Sequence, residues 1–232
     1  ASYGLQLLAG GGNHTISQST IISNAAALPA LYILGSSSNT VVNSYIQGST
    51  AVYVNGSVGT MIRGSVLVAT NTFGNALQLD GGSLNLTLTT DTFTGGSQGA
   101  GIYLDKNNLG AISLTSNTIM GGRWGMFIAA QQAAATLSIS SMVLSGPLTA
   151  GATGIYLAGG TFVSTLSYVA FNDANLAVNI GAGALNAASR LTMRADTGIR
   201  TGPIYEIDPL NVVYWPDNAP NQAPSNPLIS AS

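Results

Sequence analysis

Cysteine is absent from this chain, so disulfide staples and thiol chemistry are excluded, and its absence fits either redox compartment. Charge is nearly as scarce. Charged residues make up 6% of the 232 positions, against roughly a quarter in ordinary soluble domains. With a net charge of −2 and no basic cluster, the chain has nothing to neutralise a phosphate backbone, which excludes nucleic-acid binding. The one histidine, His14, has no acid or nucleophile near it in sequence, and metal sites built from His or Cys are excluded by count. No apolar run approaches the roughly 20 residues of a membrane-spanning helix. No segment carries helical periodicity either. The first repeat begins within three residues of Ala1, so no signal peptide is expected in this stretch.

What the chain does have is a short phrase that recurs along most of its length. It reads Gly101-Ile102-Tyr103-Leu104, Gly125-Met126-Phe127-Ile128 and Gly154-Ile155-Tyr156-Leu157, with looser copies starting at Gly4, Ala30, Ala51, Ala76 and Ala177. Steps of 21 to 29 residues separate successive starts, a period that marks a solenoid. Each copy alternates small, apolar, variable, apolar, the pattern of a strand with one buried face. About ten residues on, a second apolar pattern follows: Met61, Ile62 and Leu67, then Leu86, Leu88 and Phe93, Ile112, Leu114 and Ile119, Leu137, Ile139 and Leu144, and Leu166 with Phe171. Glycine pairs at 81–82, 95–96, 121–122 and 159–160 are expected to supply positive φ at the corners.

Coils of this size bury their apolar faces only by stacking, each strand pairing in parallel with its counterpart about 4.8 Å away. Crossovers between parallel strands are right-handed in nearly all sheets, which predicts a right-handed parallel β-helix of about eight coils. In period and strand pattern, residues 1–200 resemble the right-handed parallel β-helix repeat proteins, the pectate-lyase-like superfamily. The all-β fold is therefore expected over 1–200. Residues 201–232 hold six of the eight prolines and read as a C-terminal cap or strap followed by an extended linker. The first coil shows no such cap, and further coils, a partner or another domain are expected on that side.

In the repeated phrase the second and fourth residues point inward and the third outward. Stacking then aligns Gln6, Tyr32, Tyr53, Gln78, Tyr103, Phe127, Tyr156 and Asn179 in one row. Tyr32, Tyr53, Gln78, Tyr103, Phe127 and Tyr156 form the candidate ligand-binding surface, open to self-association, to a polysaccharide, or to simple stabilisation of the ladder. Asp80 and Asp105 follow the phrase in consecutive coils. The resemblance implies that such carboxylates hold calcium beside a basic residue that abstracts a proton, and no basic residue occupies a matching position here. Two acids at a solvated corner are the plainer reading. A further register of Ser19, Ser44, Ser65, Asp91, Asn117, Met142, Val169 and Asp196 is read as structural, its polar members bonding within the stack.

These features favour a non-enzymatic structural or adhesive solenoid, with no cofactor unless the Asp pair takes Ca2+. A composition rich in Ser, Thr, Asn and Gly and poor in charge points to an extracellular or cell-surface setting. The alternative is a polysaccharide-binding or polysaccharide-cleaving β-helix that uses Asp80 and Asp105.

Overall fold

The alternation of each repeat forms strands that no single coil could stabilise, and the computed structural model places them in three parallel sheets. It describes residues 2–129, 136–145, 153–158 and 169 in full, with the backbone of strands at 163–167, 170–172, 176–180, 190–194 and 212–214. The first sheet stacks Leu5–Leu7, Leu31–Leu34, Val52–Asn55, Leu77–Asp80, Ala100–Leu104, Trp124–Ile128, Thr153–Leu157 and Leu176–Ile180. The second runs Thr15–Ser17, Thr40–Val42, Val58–Arg63, Leu84–Thr89, Leu109–Thr115, Thr136–Ser140, Val163–Ser167, Arg190–Arg194 and Val212–Tyr214. Thr20–Ile22, Tyr45–Gly48, Val66–Ala69, Thr92–Thr94, Thr118–Met120, Val143–Ser145 and Ala170–Asn172 make the third. Every pairing is parallel, and no helix occurs among the described residues.

The first sheet has a strand for each of the eight repeats. Among the described residues about six turns are formed, slightly fewer than the eight coils expected. Of 201–232 only Val212–Tyr214 is described, as a strand that extends the second sheet by pairing with Leu191–Met193. The rest of the expected cap and linker lies outside the described residues.

Inward positions from the three sheets meet in one continuous core. Leu31, Ile33, Val52, Val54, Leu77, Ile102, Leu104, Met126 and Ile128 come from the first sheet, Ile62, Leu88 and Leu114 from the second, and Ile46, Leu67, Phe93 and Ile119 from the third, all fully buried. Each such side chain contributes about 1.5–3 kcal/mol relative to exposure. The third sheet contributes only one large apolar side chain per short strand, which is why its pattern reads from the sequence merely as an outlying apolar residue. Where glycine rather than alanine opens the repeated phrase, as at Gly101, there is no room for a Cβ. A Cβ on Gly101 would collide with Ile119 Cγ2 and come within 2.9 Å of the Gly125 carbonyl oxygen.

Two expectations change in detail. Met61 points outward and is 40% exposed, while its neighbour Thr60 faces the core, because Thr60 and Ile62 align with Leu86 and Leu88 of the next coil. The corners also differ from the glycine rule. Gly81, Gly82, Gly121 and Gly122 do have positive φ, but Gly95 and Gly96 do not. At Gly96 a Cβ would collide with the Asn71 carbonyl oxygen, so the requirement there is close approach. Gly159–Gly160 lies outside the described residues. Between the second and third sheets the left-handed position is held mostly by polar residues, Gln18, Asn43, Gly64, Thr90, Ser116 and Ser141, one per coil.

Each of those left-handed corners interrupts the ladder and leaves a backbone N–H in need of an acceptor. The residue that follows solves this by reaching one coil forward. Ser19 N–H donates to Ser44 Oγ (3.2 Å), Ser44 N–H to Ser65 Oγ (3.2 Å), Ser65 N–H to Asp91 Oδ1 (2.7 Å) and Asp91 N–H to Asn117 Oδ1 (2.8 Å). The row is therefore structural, as its polar composition and spacing indicate. It turns apolar at Met142 and Val169, both buried; Asp196 lies outside the described residues. At another corner Ser57 N–H donates to Ser83 Oγ and Ser83 N–H to Asn108 Oδ1 in the same manner.

Candidate functional site

The outer face of the first sheet carries the expected row in register: Gln6 pairs with Tyr32, Tyr32 with Tyr53, Tyr53 with Gln78, Gln78 with Tyr103, Tyr103 with Phe127, Phe127 with Tyr156 and Tyr156 with Asn179. Parallel in-register pairing at one coil spacing forces like side chains onto one another. Tyr32 and Tyr53 stack with ring centroids 5.2 Å apart, and Tyr103 lies on Phe127 at 4.7 Å with planes only 4° apart. Phe127 and Tyr156 are 5.3 Å apart and tilted by 42°. The rings are half-buried, since each covers much of its neighbour's face and leaves edges and hydroxyls outward.

Two aromatic residues outside the row join it. Tyr3 stacks on Tyr32 at 5.3 Å, and Trp124 meets Phe127 edge-on at 5.1 Å with the Arg123 guanidinium 4.8 Å above its own ring. Tyr3 precedes the first phrase and Trp124 begins its strand, so neither occupies the third position. The one available signal is that both directly precede the glycine of a repeat.

The result is two aromatic blocks, Tyr3–Tyr32–Tyr53 and Tyr103–Phe127–Tyr156 with Trp124, separated by the coil of Gln78. The Gln78 amide is tied to the start of its strand, its Oε1 accepting from Asn75 Nδ2 at 3.2 Å. The strand's other end holds Asp80, in register with Asn55. Tyr53 Oη donates to Asp80 Oδ2 at 2.9 Å and accepts from Asn55 Nδ2 at 3.3 Å, while Asp80 Oδ1 accepts the Gly81 N–H at 2.6 Å. Asp105 follows in the next coil, its backbone N–H bonded to the Leu79 carbonyl and its Oδ1 accepting the Lys106 N–H at 2.7 Å.

The carboxylates mark this part of the face electrostatically. Burial, the hydrogen bond to Asp80 and its charge push the Tyr53 phenol up to about 12. Tyr103 is raised by burial and then by the charges of Asp105 and Asp80, so both acids act on the first ring of the second block. Asp80 and Asp105 thus share one neighbourhood, yet no group of three or more His, Cys, Asp or Glu that could hold a metal occurs among the described residues. Two carboxylates alone fall well short of the six to eight oxygens that calcium takes. His14 is exposed in the first coil. Asp91 lies elsewhere, inside the polar ladder and 1% exposed, and burial pushes its carboxyl up to about 7 against the opposing pull of its bonds from Ser65 and Thr89 N–H.

Three parallel sheets wound from one repeat define a β-solenoid, and the family comparison agrees. A family model described as right handed beta helix region matches residues 2–142, more than half of the chain, and the protein belongs to that family. No curated protein and no solved structure matches the chain.

Proposed function

We propose that this chain is a non-enzymatic structural or adhesive β-helix segment of an extracellular or surface protein or filament, with the outer face of the first sheet as its contact surface. The observation that carries the reading is the in-register aromatic row, which gathers half-buried rings, edges and hydroxyls on one side of the rod. The acids beside it are engaged in holding the face together: Asp80 binds a phenol and a turn amide, and Asp105 a turn amide. The basic residue next to them in sequence, Lys106, donates its backbone N–H to Asp105 Oδ1.

The test is a variant with Tyr103, Phe127 and Tyr156 all replaced by Ser. Removing the rings loses stacking contacts worth about 0.5–1.5 kcal/mol per pair, which lowers the melting temperature but leaves a strand-dominated circular dichroism spectrum. Light scattering and negative-stain microscopy should show the parent chain associating and the variant dispersed. Equal association of both proteins removes the contact-surface reading. Cleavage of an acidic polysaccharide by the parent, lost in Asp80→Asn, replaces it with an enzymatic one.

A further inference from the structure

We propose that the break in the aromatic row at Gln78 is a slot for the arginine side chain of a partner polypeptide, a specificity element within the contact surface argued above and dependent on that reading. The register puts Tyr53 one coil before Gln78 and Tyr103 one coil after it. Two coil steps separate the ring levels by about 9.6 Å. Tyr53 stacks on Tyr32 and Tyr103 on Phe127, on their far sides. Among the described residues no ring stacks on either tyrosine from the Gln78 side. The Gln78 amide does not lie at the acidic end of the gap, because Asn75 holds it at the start of the strand. Tyr53 leans the other way, its hydroxyl bonded to Asp80.

The gap is therefore walled by two tyrosine rings and closed at one end by a carboxylate. That combination selects a flat cation: ring faces attract positive charge through their quadrupole, and a planar guanidinium stacks on them while its fork meets the carboxylate. Asp80 already accepts one bond on each oxygen, yet an ionised carboxylate has about four acceptor sites and retains capacity for both prongs. Asp105, one coil on, adds negative potential. A compact ammonium would meet the carboxylate equally well but would gain less from the rings, so arginine is preferred to lysine.

The experiment titrates the full chain with acetyl-tetra-arginine amide and with the matching citrulline peptide, which has the same shape without charge, following tyrosine fluorescence and calorimetric heat. The arginine peptide should bind and the citrulline peptide should not. Gln78→Tyr fills the gap in a register that already accommodates Tyr32, Tyr53 and Tyr103. It should raise the melting temperature and weaken arginine binding at least tenfold although every acid remains. Asp80→Asn should weaken binding to a similar degree. Binding unchanged in Gln78→Tyr is plain charge attraction and overturns the slot while leaving the contact surface standing; no binding by the parent also overturns it. Association unaffected by the triple Ser variant, with arginine binding still abolished by Gln78→Tyr, would instead remove the broader contact surface and leave the slot.

Discussion

The aromatic row outside the first sheet and the polar ladder inside the corner between the second and third sheets arise from one operation, the in-register stacking of coils. Their side chains meet opposite demands. In the ladder each polar atom answers a specific backbone group: Ser44 and Ser65 accept an N–H from the coil before and donate to the carbonyl two residues back. Water cannot substitute there, so a lost partner costs the full desolvation of the orphaned group, about 1–3 kcal/mol. In the outer row Tyr32 and Tyr53 or Tyr103 and Phe127 satisfy one another by ring contact, solvent reaches their edges, and a coil such as that of Gln78 omits the ring without breaking the sheet. Stacking makes both rows regular. Only burial makes one of them obligatory.

The sharpest division between inside and outside lies between adjacent residues. Leu104→Asp should abolish folding, because it places an unpaired charge in a fully buried position, whereas Tyr103, next to it, tolerates Ser at about the cost of one ring pair. Circular dichroism and soluble yield of the two variants measure the contrast. Folded Leu104→Asp protein would break the distinction.

Asp91 tests the ladder by pH. Its carboxyl keeps the proton up to about pH 7 in the folded chain but releases it near its ordinary value of 3.8 when unfolded. Between those values the folded state binds more protons, so stability is fully present below about pH 4 and falls as pH rises toward 7, by on the order of 2–4 kcal/mol. Chemical denaturation of the parent from pH 4 to pH 8 should show that decline. Asp91→Asn, which retains an acceptor for Ser65 N–H, should flatten it, and an equally steep profile in the variant would assign the decline to another group.

The smallest expected effect concerns a position where the inside rule is imperfectly met. Thr60 Oγ1 is the buried side-chain oxygen that lacks a hydrogen-bond partner among the described residues. Thr60→Val keeps the shape and removes the orphan, and should stabilise the chain by about 1 kcal/mol, read as a higher denaturation midpoint at unchanged slope.

Much of this architecture is legible in the residue order. The recurrence of Gly-Ile-Tyr-Leu and its relatives at one coil length determined the strands, their parallel register and the identity of the outward row, because a period-2 pattern and a repeat are local properties that stacking merely copies. The polar ladder was legible for the same reason. Ser19, Ser44, Ser65, Asp91 and Asn117 recur at one place in the coil, where a turn always strands an N–H.

Tertiary structure alone decided what depends on the neighbouring coil. Whether Thr60 or Met61 faces inward is ambiguous within its own strand and is settled by Leu86 and Leu88 beside it. That Tyr53 and Tyr103 each use one face and leave the other toward Gln78 follows from side-chain directions, namely the pull of Asp80 on one phenol and of Asn75 on the amide. Tyr3 and Trp124 join the stack from outside the repeated position, where no period marks them. The proton on Asp91 has the same origin: a carboxyl's charge state is set by the dielectric and hydrogen bonds around it, and those exist only once the coils are stacked.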